Sequence, residues 1–163
     1  MVEYLVNTCG SNIEHREIQD RSPLYYSASK GNIPITKFFV SKGADVNAKT
    51  AMGRCALLKA VWNGQFELVK VLLEYPKIDV NVEDGSRRTP LHMAAWGQYG
   101  GRFRKKASIH PTDSPECCQL LLDLGADPNK EDEYGVTPLG TACGTGAERC
   151  VEMLIKAGAK VDH

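Results

Sequence analysis

Six cysteines and four histidines are the residues of this chain best suited to covalent or metal chemistry. The cysteines are Cys9, Cys55, Cys117, Cys118, Cys143 and Cys150; the histidines are His15, His92, His110 and His163. A structural zinc site needs close pairs of such ligands, set at a few recognisable spacings. The spacings here fit none of them, so neither a metal nor a cofactor is expected. No Ser/His/Asp or Cys/His set stands at a spacing that would build an activated nucleophile. Gly97-Gln98-Tyr99-Gly100-Gly101 follows a helical pattern rather than a strand, and no Lys-Ser/Thr completes it as a phosphate-cradling loop. The chain is read as having no catalytic residues.

Recognition chemistry is better represented. Arg21, Arg54 and Arg88 recur at nearly constant intervals, with Val136 at the fourth place. A second series reads Ser29, Trp62, Trp96 and Gly144. Arginine pairs bidentately with carboxylates, tryptophan offers a flat apolar wall, and both are enriched at binding hot spots. Such a pairing suits an extended segment that is acidic and apolar. Lys30, Asn63, Met52 and Gln19 neighbour these rows at one end, with Glu133 and Tyr134 at the other.

The rows exist because the chain repeats itself. Ser22-Pro23-Leu24-Tyr25, Cys55-Ala56-Leu57-Leu58, Thr89-Pro90-Leu91-His92 and Thr137-Pro138-Leu139-Gly140 occupy one register, with steps of 33, 34 and 48 residues. Gly43-Ala44-Asp45-Val46-Asn47 and its three counterparts close each copy. In each unit a Ser or Thr can cap a first helix, and proline follows at the first helical position. Small alanines allow close packing. A second helix then carries an apolar stripe, as at Leu68, Val69, Leu72 and Leu73. Neither helix can bury its stripe alone, so neighbours must stack into a continuous core. Copy two lacks the cap and the proline. Copy one has Thr36 where copy two has Val69, and Pro34 in its second helix. Both copies are expected to be locally weaker than the fourth.

A period of 33 residues opening on Thr-Pro-Leu-His resembles the ankyrin-repeat family over essentially the whole chain. The resemblance implies an all-α solenoid of stacked helix-turn-helix units joined by hairpin loops. Residues 1–163 form one such domain: a half-repeat at 1–15, then repeats at 16–48, 49–82, 83–130 and 131–163. Helices are expected near 23–30, 35–42, 56–63, 66–75, 90–97, 115–124, 138–145 and 148–157, with a lone second helix at 2–8. The chain starts inside a repeat, which suggests a piece of a longer array or of a larger protein.

The family usually binds protein partners on a concave face made of hairpin tips and first helices. That places Arg21, Arg54, Arg88, Trp62, Trp96, Met52 and Tyr134 at the partner surface. The resemblance also implies that His92 joins a hydrogen-bond network between repeats. Asparagines in the Asp-Val-Asn loops of such repeats can be hydroxylated, and Leu73, Asp79, Val80 and Asn81 match that preference best. An aromatic cage for a methylated lysine, built from Trp62, Trp96 and Tyr134, is opposed by the neighbouring arginines.

The third copy is longer because about 98–113 is inserted between its helices. This stretch carries Arg102, Phe103, Arg104, Lys105 and Lys106, an alternative contact for an acidic partner, and Ser108 follows in a context like a basophilic-kinase substrate. Net charge is zero, so no general attraction for nucleic acid or membrane is implied. There is no signal peptide and no apolar run of membrane-spanning length. Reduced cysteines at apolar positions fit an intracellular protein, in the cytoplasm or the nucleus.

Overall fold

The structure is a computed structural model that describes residues 13–16, 18–96 and 114–161. Among these residues it contains eight α-helices and no strand. They pair as α1 (Pro23–Ser29) with α2 (Ile33–Ser41), α3 (Ala56–Trp62) with α4 (Phe66–Leu73), α5 (Pro90–Ala95) with α6 (Pro115–Asp123), and α7 (Pro138–Thr145) with α8 (Glu148–Lys156). A short 3-10 turn, Ile18–Asp20, precedes α1. The expected helix at 2–8 lies outside the described residues.

The first helices α1, α3, α5 and α7 form one layer, and α2, α4, α6 and α8 form the other. Leu24, Leu57, Leu91 and Leu139 hold one register position in the first layer and are all buried. Phe39, Leu72, Leu121 and Leu154 do the same in the second. Apolar surface on each helix is thus removed from water by the helix of the next repeat, the main favourable term in folding such an array.

Caps begin the helices where hydroxyls or amides allow. Ser22 accepts from Tyr25 N–H at 3.2 Å, and Thr137 accepts from Gly140 N–H at 3.2 Å. Cys55 makes no such bond. In the first copy the two features behind the expected weakness have compensating contacts. Asn32 caps α2 through Ile35 N–H, so the helix starts at Ile33 and Pro34 falls in the first turn, where its missing N–H is harmless. Thr36 is fully buried, but its hydroxyl lies 2.9 Å from that of Ser27, so the polar atom is satisfied.

One backbone bond closes the helix-helix turn in every repeat. Asn32 N–H donates to Ser27 O, Gln65 to Ala60, Ser114 to Ala94 and Ala147 to Ala142. In the third repeat the bond spans the insertion: its two ends meet at Ala94 and Ser114 as though no extra residues were present.

Two further ladders join repeat to repeat. Asn47 Nδ2 donates to Lys77 O, Asn81 Nδ2 to Gly125 O and Asn129 Nδ2 to Gly158 O. At the hairpin tips Ala51 N–H donates to Gln19 O, Gly85 N–H to Met52 O and Glu133 N–H to Ser86 O. The tips approach closely. A Cβ on Gly85 would stand 2.9 Å from the Met52 carbonyl oxygen, so glycine is required there.

Candidate recognition surface on the hairpin tips and first helices

Thr50, Asp84 and Asp132 stand at one register position, each four residues before the last residue of its tip. Asp84 Oδ1 accepts from the amides of Ser86 and Arg88, and Asp132 Oδ1 accepts from those of Tyr134 and Val136. Thr50 Oγ1 accepts from Arg54 N–H. These side chains tie the turn so that the residue at 54, 88 or 136 leaves it at a fixed angle, toward the first helix.

Arg88 Nη2 lies 3.0 Å from Asp84 Oδ2, and Arg54 Nε of the preceding repeat lies 3.9 Å from the same oxygen. The carboxylate is almost wholly buried, whereas the two arginine side chains are partly exposed. The three arginines are therefore not stacked without any compensating charge. A buried aspartate balances one unit of charge between two of them, and the fold itself has a use for the pair.

Each guanidinium also covers an aromatic ring of its own repeat. Arg54 stands 5.9 Å from the Trp62 centroid, Arg88 5.7 Å from Trp96 and Arg21 5.9 Å from Tyr26. The contacts are of the cation–π type. The two indoles meet at 5.6 Å with a 50° tilt. Arg54, Arg88, Trp62 and Trp96 thus form one cluster with Asp84, and Arg21 with Tyr26 continues it by one repeat.

Met52 and Tyr134 project from the tips, 55% and 80% exposed. They flank the cluster rather than join it. Asn81 lies on a different ladder. Its Oδ1 accepts from Asp127 N–H and its Nδ2 faces Gly125 O, so both amide atoms hold the next repeat. Arg102, Phe103, Arg104, Lys105, Lys106 and Ser108 lie outside the described residues.

Reading the sequence missed Asp84 and Tyr26. Asp84 had a signal: Asp84-Gly85-Ser86-Arg87-Arg88 places a carboxylate four residues before an arginine, in the same frame as Asp132 and Val136.

His92 is fully buried at the start of α5. It forms a capping box with Thr89, whose N–H donates to Nδ1 at 3.1 Å. Nε2 lies 3.0 Å from Val136 O of the next repeat. A carbonyl can only accept, so Nε2 carries the proton and the ring is neutral. Burial holds its pKa below the usual histidine value. The thiols of Cys55, Cys117 and Cys118 are pushed up, Cys118 by its hydrogen bond with Cys150 and by burial, the other two by burial. Such thiols are poor nucleophiles and pack as small apolar groups. Cys143 differs, being exposed. No group of metal-ligating side chains converges among the described residues, and none of their helices is long and apolar enough to cross a membrane.

The stacked helix pairs, the Thr-Pro-Leu-His start with its inter-repeat histidine bond, and the tip-to-tip ladder define an ankyrin solenoid. Comparison with known sequences agrees: the ankyrin-repeat family profile (3 copies) matches residues 1–84 and 107–163. The chain belongs to the ankyrin-repeat family, whose repeats are protein-interaction modules. It is 31% identical to human transient receptor potential cation channel subfamily A member 1 over 84% of this chain and 11% of the channel. It is 31% identical to the putative ankyrin repeat protein YahD of Escherichia coli over 92% of this chain and 70% of that protein. A probable E3 ubiquitin-protein ligase of rice, XBOS33, is 29% identical over 86% of this chain and 32% of its own length. The channel and the ligase are thus far longer than the stretch they share with this chain.

Proposed function

We propose that this array is a non-catalytic interaction module that holds a segment of a partner protein along its concave face. The partner lies over Trp62 and Trp96, beside Arg21, Arg54 and Arg88, and reaches the tip residues Met52 and Tyr134. The observation that carries this reading is the cluster itself: two half-buried indoles from adjacent repeats, each with a guanidinium of its own repeat against it. Tryptophan and arginine side by side on an accessible face are the residue types that dominate interface energies. The shared Asp84 fixes the guanidiniums before a partner arrives, which lowers the entropy lost on binding.

The test uses a partner captured from the native source and then purified. Trp62→Ala or Trp96→Ala should each weaken its binding by about 2 kcal/mol or more, while circular dichroism shows an intact array. Arg54→Glu should slow association and reduce its salt dependence. Normal binding by these variants, with loss on neutralising Arg102, Arg104, Lys105 and Lys106, would move the site to the insertion.

A second reading keeps the same surface but places a catalytic domain elsewhere in a longer parent chain. The resemblance to a ubiquitin ligase favours it. A methyl-lysine cage at Trp62, Trp96 and Tyr134 is disfavoured, because Arg54 and Arg88 occupy the space over the indoles that a cation would need. Asn81 and Ser108 remain proposed sites of hydroxylation and phosphorylation. An intracellular location, in cytoplasm or nucleus, accords with buried, reduced thiols.

A further inference from the structure

The turn-tying position carries a carboxylate in two repeats and a hydroxyl in one. Asp84 stands between Arg54 and Arg88, and Asp132 stands one repeat further on. Between Arg21 and Arg54 the equivalent residue is Thr50, which is buried and neutral. Among the described residues Arg21 contacts Gln19 Oε1, through a neutral hydrogen bond, and the Tyr26 ring. Arg54 approaches Asp84 through Nε at 3.9 Å, and a third of its side chain is exposed. Asp20, on the neighbouring tip, forms no ion pair with either arginine among the described residues. Among the described residues, then, a carboxylate stands between Arg54 and Arg88 but none stands at the equivalent place between Arg21 and Arg54.

The opposite end of the row is different. Thr145 Oγ1 bonds to Ala95 O, which sets the end of α7 against the end of α5 and brings Gly144 beside Trp96. Gly144 is exposed, and a Cβ there would meet nothing within 4 Å. The indole of Trp96 packs on Trp62, and the position equivalent to it in the next repeat, Gly144, presents no side chain. Tyr134 and Val136 stand at its rim, 80% and 37% exposed.

We infer that the partner is a protein segment with one acidic side chain between Arg21 and Arg54 and one large apolar side chain over Gly144 against Trp96. The inference holds only if the segment-binding role proposed above holds. Charge selects the first contact: a carboxylate of the partner takes the place that Asp84 fills one repeat later. The steps lie two repeats apart, about 20 Å at the usual spacing of packed helices. An extended chain rises about 3.3 Å per residue, so the two anchors are about six residues apart in the partner.

Thr50→Asp supplies the test, because it installs in the protein the carboxylate that the partner is inferred to bring. The probe is a phage-displayed library of random peptides about twelve residues long, enough to span about 40 Å. On the native chain, enriched peptides should carry Asp or Glu and an aromatic or large aliphatic residue about six positions apart. Thr50→Asp should abolish the acidic preference, keep the apolar one, and weaken the best native-selected peptide about tenfold. Arg21→Gln and Arg54→Gln should do the same, so the outcome does not hang on one variant folding. Unchanged acidic selection by all three variants overturns the inference. So does tight binding of a single-stranded oligonucleotide that is lost with Arg21→Gln, which would make the ligand a phosphate chain. Peptides that require Trp96 but carry no acidic residue overturn the inference and leave the segment-binding role standing. Peptides that bind Trp62→Ala and Trp96→Ala undiminished remove both.

Discussion

The imidazole of His92 gives its Nε2 proton to the Val136 carbonyl at 3.0 Å, so a single proton links the third repeat to the fourth. On the other side Nδ1 must accept from Thr89 N–H. A second proton on the ring would oppose that amide and charge a fully buried group, near Arg88 as well as Asp132 and Asp84. Burial lowers the pKa in the folded state, so the unfolded chain takes up the proton first. The stability owed to neutral His92 should be complete above about pH 6.5 and should fall as pH drops through that value toward the folded pKa. Urea midpoints measured across this range check the sign. His92→Gln should be weaker by about 1–3 kcal/mol at neutral pH and lack this slope.

Asp84 is expected to matter more to stability than its place in a hairpin tip suggests. Its carboxylate accepts two backbone amides and holds Arg88, with Arg54 nearby. Breaking a fully buried pair costs about 3–5 kcal/mol, but here the arginine side chains are partly exposed. Asp84→Ala should therefore cost about 2–3 kcal/mol in chemical denaturation, and Asp84→Asn less, since an amide oxygen can still accept from the turn.

Copy two offers a repair. The sulfur of Cys55 faces the Leu57 and Leu58 amides without making a cap bond. Cys55→Ser places a hydroxyl there at nearly the same volume. A restored N-cap should raise stability by about 1 kcal/mol, read as a higher thermal midpoint. An unchanged or lower midpoint would mean that the buried thiol packs better than the hydroxyl caps.

The bond from Ser114 N–H to Ala94 O gives the insertion an expected cost of its own. It is the bond that closes the short turns of the other repeats, so a short connection can meet the same two ends. Replacing 97–113 by a turn of the length used in the second repeat should retain the fold and stabilise it by about 1 kcal/mol through loop-closure entropy. Failure of that variant to fold would assign the insertion a structural role.

The repeat architecture was legible in the sequence because it rests on short-range rules. Pro23, Pro90 and Pro138 mark helix starts, and the leucine after each is buried. The helix ends were less so: α4 stops at Leu73 and α5 at Ala95, each two residues before the periodicity does. Alignment also found the surface rows of Arg54, Arg88, Trp62 and Trp96, since equivalent positions in a stack lie side by side. It did not find how their charge is balanced. Asp84 belongs to a hairpin by sequence, and only the stacking of one tip on the next brings Arg54 of the preceding repeat to it. The settings of Pro34 and Thr36 were hidden for the same reason. Their partners, the Asn32 cap and the Ser27 hydroxyl, are matters of local geometry that residue type alone does not disclose.

Gln19, Met52 and Ser86 hold the following tips through their carbonyl oxygens, not their side chains. The mechanical joint and the chemical lettering of this edge are therefore separate. Glycine at 85 is fixed by the close approach of the Met52 carbonyl, but the side chains at 52, 86 and 134 carry no part of the load between tips. Selection, or a designer, can rewrite those letters one repeat at a time and change what the edge reads without unfastening it.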